Sequence, residues 1–202
     1  MTEGLANLEG IPTDSLTRLC SSWGLGGAEL LLSRNIMVDR EHLERPGDGV
    51  LDEPFGTSTE TALKAWTDAG RCQGAQVWAQ ISHSGRQTLK IVNAKPKAPS
   101  NVPLKLPGGE FDQHIELSIQ EIEQIIEKFA CCALIAKRGG FTGVQIHAAH
   151  GYLLSQFLSP RSNLRNDRYG GWLVNRAPAL MEVVSSTRRA VGERFSGCSE
   201  IR

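Results

Sequence analysis

The apolar residues of this chain change their spacing repeatedly, and that alternation constrains the fold more than any other feature. Helical spacing, with apolar positions three and four apart, runs through Ser15 to Trp23, Thr59 to Gly70, Ser118 to Arg138 and Asn175 to Val191. Between these stretches lie short apolar runs of strand length: Leu30-Leu31-Leu32, Gln76 to Ile81 and Val144-Gln145-Ile146. Gly24-Leu25-Gly26-Gly27 stops the first helix. Ser118-Ile119-Gln120-Glu121 opens the third as a capping box, whose Ser and Glu side chains satisfy free backbone N–H groups. Helix and strand in strict alternation define an α/β protein with parallel strands. Such units either close into a barrel or lie open as a sheet, and periodicity does not choose between them. GxGxxG and GxxxxGK[ST] phosphate loops are absent, which tilts the choice towards a barrel.

Charge and cysteine content narrow the function. The 202 residues carry 22 basic and 22 acidic side chains, so no net field draws the chain to nucleic acid or to an anionic membrane. No apolar run reaches the roughly 18 residues of a membrane span. Met1-Thr2-Glu3-Gly4 lacks the basic and apolar regions of a secretory signal, so a cytoplasmic protein is expected. The five cysteines (Cys20, Cys72, Cys131, Cys132, Cys198) form no CxxC pair. They are read as core and boundary thiols, not as a disulfide framework or a zinc site.

Chemistry concentrates where strands end. The stretch from Arg45 to Gly56 is a loop rich in Pro, Gly and Asp, and Ser82 to Leu117 is long and irregular. Loops of that length usually carry function or cross a binding face. The densest cluster follows the third strand: Val144-Gln145-Ile146-His147-Ala148-Ala149-His150-Gly151-Tyr152. His147 and His150 are suited to donate N–H bonds to one oxygen, in the manner of an oxyanion clamp. Tyr152 keeps its proton at neutral pH and is suited to give it to a developing carbanion. Two other readings stay open: histidines that serve packing, and a metal site, for which no third ligand stands at recognisable spacing.

Ile146-His147-Ala148-Ala149-His150-Gly151-Tyr152-Leu153, continued by Leu158-Ser159-Pro160, Asn163, Arg165, Asp167 and Tyr169-Gly170-Gly171, closely resembles the Old Yellow Enzyme family. Gln80-Ile81-Ser82-His83-Ser84-Gly85-Arg86 resembles that family's second marker, Gln-Leu-x-His-x-Gly-Arg. The resemblance implies an FMN-dependent ene-reductase on a (β/α)8 barrel, with NAD(P)H as reductant and an activated alkene as small-molecule partner. A homo-oligomer is left open. It places His147 and His150 on the substrate carbonyl or nitro oxygen, Tyr152 as proton donor, and Gln80 on the polar edge of the isoalloxazine. It also places Thr2 near a flavin carbonyl and Asn35 at the flavin edge. No residue is assigned to a metal.

The chain also departs from that pattern. A whole barrel takes about 250 residues, so this sequence reads as one truncated to the first four to five βα units. Residues 1–195 are expected to form a partial FMN-binding barrel, and 196–202 a tail outside the family that reads as no strand. Gly170-Gly171-Trp172-Leu173-Val174-Asn175-Arg176 stands where the family shows Gly-Gly-Ser-x-Glu-Asn-Arg, which costs a helix cap worth about 1 kcal/mol. Arg34 replaces a small residue beside the flavin, and Glu29 a glycine before the buried strand. The competing reading is a non-catalytic remnant without FMN activity.

Overall fold

A computed structural model describes residues 3–54, 56–104, 111 and 113–201, with side chains as far as 197. Its elements run α1 (Asp14–Leu25), β1 (Leu30–Met37), β2 (Gly49–Val50), α2 (Thr57–Gly70), β3 (Gln76–Ser82), β4 (Lys97–Ala98) and β5 (Ile115–Glu116). They continue with α3 (Ile119–Arg138), β6 (Gly143–Ala148), α4 (Leu153–Leu158), α5 (Leu173–Arg176), α6 (Pro178–Val191) and β7 (Ser196–Ile201). The main sheet has the order β2-β1-β3-β6-β7, and every pairing in it is parallel. This is the succession of βα units that the alternating pattern predicts.

The sheet has two different faces. Leu31, Val77, Ala79, Ile81, Val144 and Ile146 lie buried in the core with Leu63 and Trp66 of α2, Phe129 and Ala133 of α3, and Val183 of α6. The opposite face holds Leu30 and Leu32, both exposed, and the half-buried Trp78, Gln80 and Gln145. Gly143 leaves room for the Trp78 indole there, since a Cβ on it would lie 2.6 Å from Nε1. Helix α3 begins at the expected capping box: Glu121 N donates to Ser118 Oγ (3.2 Å) and Ser118 N to Glu121 Oε2 (2.7 Å). Among the described residues, no helix is long and apolar enough to cross a membrane.

Three expectations change. β1 extends five residues beyond Leu32, because a bulge carries it through the polar Ser33 and Arg34. The register passes from Leu32↔Trp78 to Asn35↔Gln80, and Ser33 Oγ takes the Gln80 N–H (2.9 Å) that the ladder has lost. The last helix is two, because Pro178 has no N–H to continue the ladder of α5 and instead opens α6. Trp172, at the N-cap of α5, makes no side-chain capping bond, as the missing Ser implies. The reading of residues from Ser196 onward as no strand is corrected: β7 pairs with β6 from Gly143↔Ser196 to Ala148↔Ile201. The free edge of β6 supplies backbone partners whatever the side chains, and Ser, Gly and Glu carry no strand signal. Cys20 and Cys132 are buried free thiols and Cys131 is half-buried, as the sequence suggests; burial pushes the Cys20 thiol up to about 11.

Candidate active site

The C-terminal ends of β1, β3 and β6 lie side by side, and parallel register aligns their polar residues. Asn35 pairs with Gln80, and Gln80 with Gln145. Gln80 Nε2 donates to Gln145 Oε1 (2.7 Å) and lies 3.4 Å from His147 Nδ1. His147 Nε2 faces His150 Nδ1 at 3.3 Å. The His147 ring centroid stands 5.1 Å from the rings of both His150 and Tyr152. The three residues singled out after the third strand, and Gln80 before them, therefore form one cluster. His147 and Tyr152 are buried and His150 is exposed. The Gln80 amide nitrogen facing His147 Nδ1 suits the tautomer with its proton on Nε2, the nitrogen that faces His150.

The turn that presents them is held from outside. His150 (φ 54°) and Gly151 (φ 77°) both adopt left-handed backbone, and His150 is the one such non-glycine among the described residues. That geometry costs about 1–2 kcal/mol for a residue with a Cβ. Residues 83–87, just past β3, hold the turn: Leu153 N donates to His83 O (3.0 Å) and Gln87 Nε2 to His150 O (2.8 Å). Gln156 is 1% exposed; its Nε2 donates to Gly151 O (2.7 Å) and Ser84 O (3.2 Å), and its Oε1 accepts from Arg86 N (3.2 Å). Gly85 has φ 58°, and a Cβ there would lie 2.5 Å from Gln156 Oε1.

On the β1 side, Asn35 Nδ2 donates to Glu44 Oε2 (3.1 Å), while its Oδ1 is buried without a partner. Burial, reinforced by the Glu44 carboxylate, pushes the Tyr152 hydroxyl well above the usual phenol range, so it stays protonated. Asp48 accepts from Glu44 N (2.8 Å) and Arg45 N (3.1 Å), and burial raises its carboxyl to about 7. Arg34 pairs with Glu3 at 3.2 Å. Thr2 lies outside the described residues. Sequence reasoning missed Gln145, Glu44 and Gln156. Gln145 was within reach, because it stands two residues before His147 and a strand repeats its face every two.

Asp39, His42 and His83 form a second buried cluster, with ligand atoms within 4.8 Å of one another. Its hydrogen bonds make it a solvated carboxylate rather than a metal cage. His42 Nε2 accepts Lys97 N–H (2.9 Å) and His83 Nδ1 accepts Gly85 N–H (3.0 Å), so the nitrogens facing Asp39 carry protons. Lys128 Nζ completes the set, 2.8 Å from Asp39 Oδ2.

The residues present fit a flavin. The cluster combines amide donors and acceptors at one edge and keeps an unpaired acceptor in Asn35 Oδ1. Fold and strand-end cluster together place the chain in the (β/α)-barrel class of the Old Yellow Enzyme type, of which it holds a five-stranded part. The profile of the NADH:flavin oxidoreductase / NADH oxidase family matches residues 52–201, and the chain belongs to that family. It is 36% identical over 198 residues to the NADH-dependent flavin oxidoreductase nadA of Aspergillus parasiticus, covering 96% of this chain and 45% of that protein. It is 35% identical to the NADH oxidase of Thermoanaerobacter brockii, covering 96% of this chain and 30% of that one. The old yellow enzyme homologue from Zymomonas mobilis superposes with TM-score 0.87 at 27% identity, covering 98% of this chain and 57% of that structure. The chain spans about half the length of nadA and of the Zymomonas structure.

Proposed function

We propose that this chain serves an FMN-dependent reductase that takes electrons from NAD(P)H and reduces electron-poor C=C bonds. The single observation carrying this reading is the convergence of Gln80, His147, His150 and Tyr152 at adjacent strand ends. Gln80, Gln145 and Asn35 would hold the flavin, which when bound and reduced supplies the hydride for the β-carbon. His147 and His150 donate to the carbonyl or nitro oxygen of the substrate, which collects negative charge as the hydride arrives. His147 does so by turning its Nε2–H from His150 to the ligand, and the exposed His150 ring is free to follow. Tyr152 then delivers its hydroxyl proton to the α-carbon. The names of both sequence relatives favour NADH over NADPH. The free thiols support a cytoplasmic setting.

The test is anaerobic mixing of FMN-loaded, NADH-reduced protein with an enone. Wild type is expected to reoxidise the flavin as saturated product appears. His147→Ala is expected to slow that step 10²–10³-fold, the usual cost of one oxyanion donor. Enone reduction at an undiminished rate in His147→Ala removes the clamp from the account.

A further inference from the structure

A neutral imidazole donates from only one of its two nitrogens, so a histidine clamp works only with its proton on the nitrogen that meets the substrate. The side chains around His147 bear on that choice. Gln80 and Gln145 are register partners on neighbouring strands, and Gln80 Nε2 donates to Gln145 Oε1 at 2.7 Å. The same amide nitrogen carries a second hydrogen and lies 3.4 Å from His147 Nδ1. A Gln80 amide turned over would set its oxygen against Gln145 Oε1, two acceptors with no proton between them. On the far side of the ring, His147 Nε2 faces His150 Nδ1 at 3.3 Å. Hydrogen bonds can therefore run in one direction, from the Gln80 amide into His147 and from His147 into His150.

We propose that Gln145 is a positioning residue for His147: its side-chain oxygen holds the Gln80 amide nitrogen towards Nδ1 and so keeps the ring proton on Nε2. The role rests on the reading of His147 as a donor to the substrate oxygen. With Nδ1 accepting, Nε2–H is the one donor of the neutral ring, available to a carbonyl or nitro oxygen. In the other tautomer Nε2 is bare, and its lone pair would oppose an oxygen that gathers negative charge. The same direction sets His150, whose Nδ1 accepts from His147 and whose own proton then lies on Nε2. The argument turns on what position 145 can accept or donate, and side chains that do only one of these separate it from packing.

The chain has five histidines, so ¹⁵N-imidazole labelling gives five ring systems, with His147 assigned by His147→Ala. Protonated and bare ring nitrogens resonate far apart, which reads the tautomer directly. The measurement uses the full chain without added FMN, about two pH units above the reference imidazole value of about 6.5. Wild type is expected to hold the His147 proton on Nε2. Gln145→Glu only accepts and should keep it there, whereas Gln145→Lys only donates and should move it to Nδ1. Gln145→Leu does neither and should lower the ratio of the two tautomers roughly fivefold, the selectivity of one ordinary hydrogen bond. The other rings report that each variant is folded, and a packing role would not give Glu and Lys opposite effects. A wild-type proton on Nδ1, an unchanged ratio in Gln145→Lys or Gln145→Leu, or a lost preference in Gln145→Glu overturns the proposal. In FMN-loaded protein, Gln145→Leu should slow enone reduction roughly fivefold more than flavin reduction by NADH; equal slowing of both overturns the positioning role. His147→Ala reducing enone at full rate overturns the clamp and the positioning role together; that failure is recognised because the tautomer pattern persists wherever His147 is present.

Discussion

Replacing Gln156 by Leu should loosen the catalytic turn and lower stability by about 3 kcal/mol. The side chain makes three hydrogen bonds in a site from which water is excluded. Ser84 O keeps a second partner in Gln87 N (3.1 Å), so its loss is partly covered. Gly151 O and Arg86 N lose the bonds described, and each buried polar group left unmet costs about 1–3 kcal/mol. Leu fills nearly the same volume, so little cavity cost is added. With a urea m-value of about 2 kcal/mol/M for a chain of this size, the unfolding midpoint should fall by about 1.5 M. Gln156→Glu should be no better at neutral pH: it keeps the acceptor for Arg86 N and sets a carboxylate oxygen against the Gly151 and Ser84 carbonyls. A midpoint shift below about 0.5 M for Gln156→Leu would show that the loop over residues 83–87 does not hold the turn.

Asp39 is held well below the usual carboxylate range: burial alone would raise it, but the His42 and Lys128 bonds outweigh burial. A depressed folded-state value stabilises above the unfolded value of about 3.9 and is lost as pH falls through the folded one. Asp39→Asn should therefore cost about 3 kcal/mol at neutral pH, with the gap from wild type closing in acid; a gap independent of pH in paired urea titrations would contradict this. Ser118→Ala removes one half of the capping box and should cost about 1 kcal/mol, a drop of about 2–4 °C in Tm by calorimetry. An unchanged Tm would mean that packing alone fixes the start of α3.

The fold was legible wherever burial and period agreed. Helix α3 shows this best, since its apolar stripe and its Ser118–Glu121 box both appear in the sequence and both recur in the structure. The extension of β1 was not legible, because the Ser33 hydroxyl replaces a ladder partner only once β3 lies beside it. β7 was hidden for the same reason: its pairing comes from the backbone edge of β6 and not from its own side chains. Within the site, His147, His150, Tyr152 and Gln80 stood out because they fall in short motifs at strand ends. Glu44 had no local signal, as it lies in a loop with no periodicity and reaches Asn35 only once that loop folds back over the end of β1. Gln156 sits within a recognised motif, yet its role appears only when residues 84–86 and Gly151 are seen converging on it.

The central claim is that Tyr152 supplies the proton for alkene reduction at a flavin-bearing site. The most direct measurement separates the two half-reactions of FMN-loaded Tyr152→Phe by stopped flow. Flavin reduction by NADH needs no proton from this hydroxyl and should keep its wild-type rate. Enone reduction should fall by about 10²–10⁴-fold, the usual contribution of a placed acid, while enone affinity is retained through His147 and His150. Equal slowing of both half-reactions, or none in either, would contradict the account and leave Tyr152 as a structural residue of the turn.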